Sequence, residues 1–171
     1  MVPTAPLVLT LLLDPTSQDF FDARRRAHFP PERNHLAAHL TLFHALPGAE
    51  AAAIEASLAV MCATQSPLDL SVRGVQFLGR GVAYSLESAE LRTLHRRLQQ
   101  PWQPWLTPQD RQPLRPHVTV QNKVDPTVAR ALFARLEAEF VPFPALGMGL
   151  QLWTYRGGPW EARASWVFGG K

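Results

Sequence analysis

Histidine and threonine stand two residues apart, each followed by an apolar residue, at two places in the chain: His39-Leu40-Thr41-Leu42 and His117-Val118-Thr119-Val120. On an extended strand residues i and i+2 share a face. Each motif therefore presents an imidazole and a hydroxyl together and turns its apolar residues the other way. Two imidazoles on opposite sides of one phosphorus can divide acid and base work, because histidine titrates near neutrality. A hydroxyl beside each imidazole can donate to a non-bridging phosphate oxygen as charge builds there. One such strand alone is an ordinary amphipathic strand with a wet polar face. Two copies point to one shared phosphodiester-processing site. The same parity puts Phe43 on the His39 face, where it lines the cleft or fills the core between two lobes.

The elements that must carry these residues are marked by periodicity and stop signals. Leu7 to Leu13 is a short apolar run ended by Asp14-Pro15 and reads as a strand. Thr16 or Ser17 caps a helix over Gln18 to His28, which Phe29-Pro30-Pro31 ends. Its adjacent Arg24, Arg25 and Arg26 fan around the helix and read as a solvated face. Strands are expected over His39 to His44, Leu68 to Leu78, Val82 to Leu86, His117 to Gln121, Leu146 to Tyr155 and Ala164 to Phe168. Helices are expected over Ala49 to Thr64, Ala89 to Gln100 and Val128 to Phe140, the last opened by Asp125-Pro126. Gly79-Arg80-Gly81 reads as a hairpin turn. Pro101 to Pro116 is a Pro/Trp-rich connection in which Trp102 and Trp105 pin the chain to the core. This order implies an α+β fold, and each motif strand is followed by a helix, as an old duplication would leave it.

Composition narrows the class. At 171 residues and 46% hydrophobic, the chain can bury a sizeable core as one domain over 1–171. Its net charge of +3 is compatible with an anionic ligand, and all its basic residues but Lys123 and Lys171 are arginines. Cys62 is the single cysteine, so an intrachain disulfide and a thiolate zinc site are excluded, and a reducing, cytoplasmic setting is expected. Leu7 to Leu13 is too short to span a membrane. His35 and His39 are four apart, but no Glu stands between them as a H-E-x-x-H site requires. No metal and no cofactor are expected, and a monomer is the default.

HLTLFHALPG (His39 to Gly48) and RPHVTVQNK (Arg115 to Lys123) resemble the paired H-x-[ST]-apolar motifs of the 2H phosphoesterase superfamily. Within it the chain is similar to the 2′-5′ RNA ligase-like and RNA 2′,3′-cyclic phosphodiesterase branch. The resemblance implies a bilobal molecule, with two pseudo-symmetric antiparallel sheets, outer helices and a central cleft between interleaved lobes. It implies metal-independent opening of 2′,3′-cyclic phosphate ends, or reversible 2′-5′ ligation, on RNA ends or cyclic nucleotides. His39 and His117 would be the acid/base pair, with His117 as base and His39 as acid the order it suggests, and Thr41 and Thr119 would bind phosphate. Many relatives carry an arginine shortly after the second motif, where this chain has Gln121-Asn122-Lys123. Strand parity would bring Lys123 to the His117 face as a replacement phosphate cation.

Tyr155, Arg156 and Trp160 surround the Gly157-Gly158-Pro159 turn. Tyr155 is a candidate for stacking on a base, and Trp160 for packing on the closing strands. His28, His44 and His95 read as surface or internally satisfied histidines. Two other functions remain open on the sequence: a non-catalytic RNA or nucleotide binder on the same fold, and a hydrolase of a small non-RNA cyclic phosphate.

Overall fold

The computed structural model describes residues 4–171. The strands are β1 (Leu7–Leu13), β2 (Leu40–Leu46), β3 (Leu68–Phe77), β4 (Val82–Glu87), β5 (His117–Gln121), β6 (Phe143–Thr154) and β7 (Glu161–Val167). The helices are α1 (Pro15–His28), α2 (Ala51–Thr64), α3 (Ala89–Trp102) and α4 (Pro126–Glu139). The expected α+β class is observed, with every strand pairing antiparallel.

Local chemistry explains the helix starts. Asp14, not Thr16 or Ser17, caps α1: its carboxylate accepts from Ser17 N–H at 3.0 Å, with Pro15 in the first turn. Asp14 is the better cap because Pro15, lacking an N–H, belongs inside the first turn. Its other oxygen accepts from Leu146 N–H at 2.8 Å, which ties the start of α1 to β6. Ser88 caps α3 and Asp125 caps α4 in the same way. Phe29-Pro30 ends α1 as expected.

The strands form a single hydrogen-bonded sheet in the order β2-β1-β6-β3-β4-β5, with β7 added to β6. Two separate sheets were expected, but the twelve-residue β6 joins both parts. Its first half pairs with β3, and its second half pairs with β1 and β7. The order is unchanged when β1, β2 and β3 are exchanged with β4, β5 and β6 and read backwards. The motif strands β2 and β5 stand at its two ends. Those ends nevertheless approach within 8 Å at their Cα atoms, so the sheet must curl and bring them together.

The core fills the space between sheet and helices. Leu7, Leu9, Leu40, Leu42, Ile54, Leu58, Leu91, Val118, Val120 and Leu150 are all essentially inaccessible. Each such side chain contributes about 1.5–3 kcal/mol by leaving water. Trp105 is half-buried against this core, as a staple of the connection should be, whereas the buried Trp102 is the last residue of α3, which runs through Pro101 into the expected connection. Among the described residues no helix is long and apolar enough to cross a membrane.

Candidate functional site

Both motif strands carry the same irregularity. Thr10 pairs with Thr41 but Leu9 pairs with Phe43, so Leu42 is an extra residue in β2. Ala83 pairs with Thr119 but Val82 pairs with Gln121, so Val120 is an extra residue in β5. Each strand is therefore bulged at the residue after its motif threonine. A bulge breaks the two-residue alternation and re-aims the side chains beyond it. Up to the threonine, parity holds: Leu40 and Val118 are buried, while His39, Thr41, His117 and Thr119 are partly open.

Beyond the threonine it fails. Phe43 does not line the cleft. It is fully buried, stacked on His95 with ring centroids 4.6 Å apart and edge-on to Trp102 at 5.3 Å. His44 takes the outward position instead. In β5 the matching residue Gln121 is buried and Asn122 faces a cavity. No single-strand pattern reveals this, because a bulge is a property of the pairing.

The bulges are held from across the molecule. Arg25, expected on a solvated face, is buried on α1. Its Nη1 donates to the Thr119 carbonyl at 3.0 Å, its Nε donates to Asn34 Oδ1 at 2.8 Å, and its guanidinium lies 3.9 Å from the Phe29 ring centre. His95 of α3 hydrogen-bonds the Leu42 carbonyl through Nε2 at 3.0 Å, so it is the internally satisfied histidine the sequence suggested. The helix of each half thus anchors the motif strand of the other.

The two motif histidines are oriented identically. His39 Nδ1 donates to the Ala37 carbonyl at 2.9 Å, and His117 Nδ1 donates to the Arg115 carbonyl at 2.9 Å. A proton fixed on Nδ1 leaves Nε2 of the neutral ring free to accept one. Burial pushes the His39 imidazole down to about 4. The Ala37 carbonyl opposes that drop, and the neighbouring Arg25, His117 and His44 charges add to it. His39 is therefore neutral at pH 7.

Two adjoining chambers meet at these strands. The larger, about 640 Å³, is lined by His39, Thr119, Lys123, Tyr155, Trp160 and the cations Arg25 and Arg33. The smaller, about 390 Å³, is lined by Thr41, His117, Asp110 and Arg115. His44 lines both. Lys123 reaches the cleft by a different route from the one expected. β5 ends at Gln121, and Lys123 sits in a turn with φ of +62°. Tyr155 is 41% exposed at the rim. Trp160 packs on Trp153 of the closing strand β6, ring centroids 6.1 Å apart, as expected, and also beside His39 at 4.7 Å. Sequence reasoning missed Arg25, His44 and Asp110 as parts of this site. Among the described residues no group of three or more His, Cys, Asp or Glu side chains is placed to hold a metal ion.

The end strands of this antiparallel α+β sheet are both bulged, and each carries a partly open His and Thr on the walls of two adjoining chambers. The model of the 2′-5′ RNA ligase superfamily matches residues 13–159, and the chain belongs to that superfamily. No curated protein matches it in sequence. Solved structures share its fold at low identity. TT0787 of Thermus thermophilus is 14% identical, covering 97% of this chain and 99% of its own, with a TM-score of 0.65. E. coli LigT complexed with NADP+ is 18% identical over 97% and 99%, with a TM-score of 0.58. LigT complexed with 3′-AMP is 19% identical over 96% and 98%, with a TM-score of 0.57.

Proposed function

We propose that this chain is a metal-independent phosphodiesterase that opens 2′,3′-cyclic phosphate ends of RNA or nucleotides, with 2′-5′ ligation as the same opening performed by a 5′-hydroxyl in place of water. The observation that carries the proposal is the matched pair of imidazoles, each locked through Nδ1 to the carbonyl two residues back. Membership of the superfamily and the nucleotides bound by LigT support the substrate class. The exchange symmetry of the sheet order supports two interleaved, pseudo-symmetric lobes, one motif each.

In this mechanism a water attacks phosphorus on the side opposite the leaving O3′. His39, neutral at pH 7, takes the water proton on Nε2. The P–O3′ bond breaks, and His117 gives O3′ a proton, leaving a 2′-phosphate and a 3′-hydroxyl. This order is the reverse of the one the family resemblance suggested, and the neutral His39 ring, with Nε2 free to accept, is the reason. In ligation a 5′-hydroxyl takes the place of the water and the two groups keep their roles; in the reverse reaction, ring closure, they exchange them. Thr41 and Thr119 donate to the non-bridging oxygens. Lys123, Arg33 and the rim aromatics Tyr155 and Trp160 hold the rest of the nucleotide.

The test is hydrolysis of 2′,3′-cyclic AMP by the pure protein in excess chelator. Turnover to the 2′-phosphate is expected, with a loss of about 10²–10⁴ in His39→Ala and in His117→Ala. Full activity in either variant would remove the acid/base assignment. Nucleotide binding without turnover would favour a non-catalytic binder, and turnover of only non-nucleotide cyclic phosphates would change the substrate class.

A further inference from the structure

We infer that His44, held by Asp110, is a third phosphate-binding imidazole of the cleft; this rests on the phosphodiester reading above and extends it. His44 Nδ1 lies 3.1 Å from Asp110 Oδ1, and the Asp110 side chain is only 1% exposed. Burial works to raise the Asp110 carboxyl, but hydrogen bonds from the His44 ring and from the His44 and Ala45 amides outweigh it, and the group stays ionised. Those amides donate at 2.8 Å and 2.9 Å. Asp110 is itself fixed, donating its N–H to Thr107 Oγ1 at 3.2 Å and accepting Gln99 Nε2 on its carbonyl at 2.9 Å. The His44 ring is therefore clamped from a rigid side.

With Nδ1 turned to the buried carboxylate, the 43% exposure of the side chain lies toward Nε2. The side chain stands where the two chambers adjoin. His44 is the only residue lining both among the described residues, with Thr41 and His117 on one side and His39 and Thr119 on the other. An anionic oxygen at Nε2 and a carboxylate at Nδ1 are two acceptors, so the ring that joins them carries a proton on each nitrogen. The imidazolium then gives a charge-assisted hydrogen bond to the phosphate. Anchoring the loop does not require the ring, because the two backbone amides already hold the carboxylate. The imidazole is surplus to the fold and placed for a ligand.

The experiment compares wild type, His44→Ala and His44→Gln in three measurements: steady-state kinetics on 2′,3′-cyclic AMP, affinity for inorganic phosphate, and the melting temperature. His44→Ala should raise KM and weaken phosphate binding by about 10-fold, with kcat within about threefold and an unchanged melting temperature. His44→Gln, which keeps a donor of similar reach, should recover part of the loss. Unchanged KM and phosphate affinity in His44→Ala would overturn the inference. So would a loss confined to kcat, or one matched by a fall in melting temperature. If wild type turns over no cyclic nucleotide, the proposed function fails alone, and the phosphate arm still decides the role of His44.

Discussion

His39 enters the fold without its proton, and that has a measurable consequence. In the unfolded chain an imidazole takes a proton at about 6.5, whereas burial holds His39 to about 4. Between these values the unfolded state carries a proton that the folded state lacks. The contribution of His39 is therefore fully present above pH 6.5 and is lost as pH falls toward 4. At about 1.4 kcal/mol per unit, reduced for partial exposure, it amounts to roughly 2–3 kcal/mol. Urea melts at pH 6.5 and pH 4 should show wild type losing that much more stability than His39→Gln. His28 and His95, also lowered by burial, act with the same sign in both proteins and cancel. Equal acid losses would contradict a buried neutral His39. The motif pair itself was legible in the sequence because His, Thr and their apolar neighbours carry a period of two. Arg25 was not, because its burial is decided by β5 and Asn34, which reach it only in the folded state.

At the scale of elements, the strands and helices were readable to within a few residues, since apolar runs, Pro and Gly mark them directly. The bulges at Leu42 and Val120 were not readable, and they decide which side chains enter the cleft. Phe43 and His44 changed places for that reason alone, and Lys123 entered through a turn and not along a strand. The backbone approach at Gly81 gives a test. A Cβ there would collide with the Gln121 carbonyl, at the end of the bulged β5. Gly81→Ala should push β5 away from β4 and displace His117 with it. A loss of about 1–3 kcal/mol of stability is expected, together with a fall in kcat/KM larger than the change in KM alone. Wild-type kinetics in a destabilised Gly81→Ala would show that the hairpin does not set the position of His117.

For the whole molecule, the sheet order explains how two motifs far apart in the chain come to share a space. β6 joins the two parts, and the curl brings β2 and β5, the opposite ends, against one another. Arg25 and His95 then cross from the helix of one half to the motif strand of the other. The sequence carried the repeated order of motif strand then helix but not this closure, which depends on pairings between residues more than a hundred positions apart, such as Leu7 with Thr154. The central claim is that His39 and His117 act on one phosphorus as a unit. Its most direct test is a double-mutant cycle on 2′,3′-cyclic AMP hydrolysis using His39→Ala, His117→Ala and the double variant. Groups that act as a unit lose their effect together. The kcat of the double variant should fall within about threefold of the worse single variant. Losses that multiply across the two positions would mean that the histidines act independently, and the shared site would be wrong.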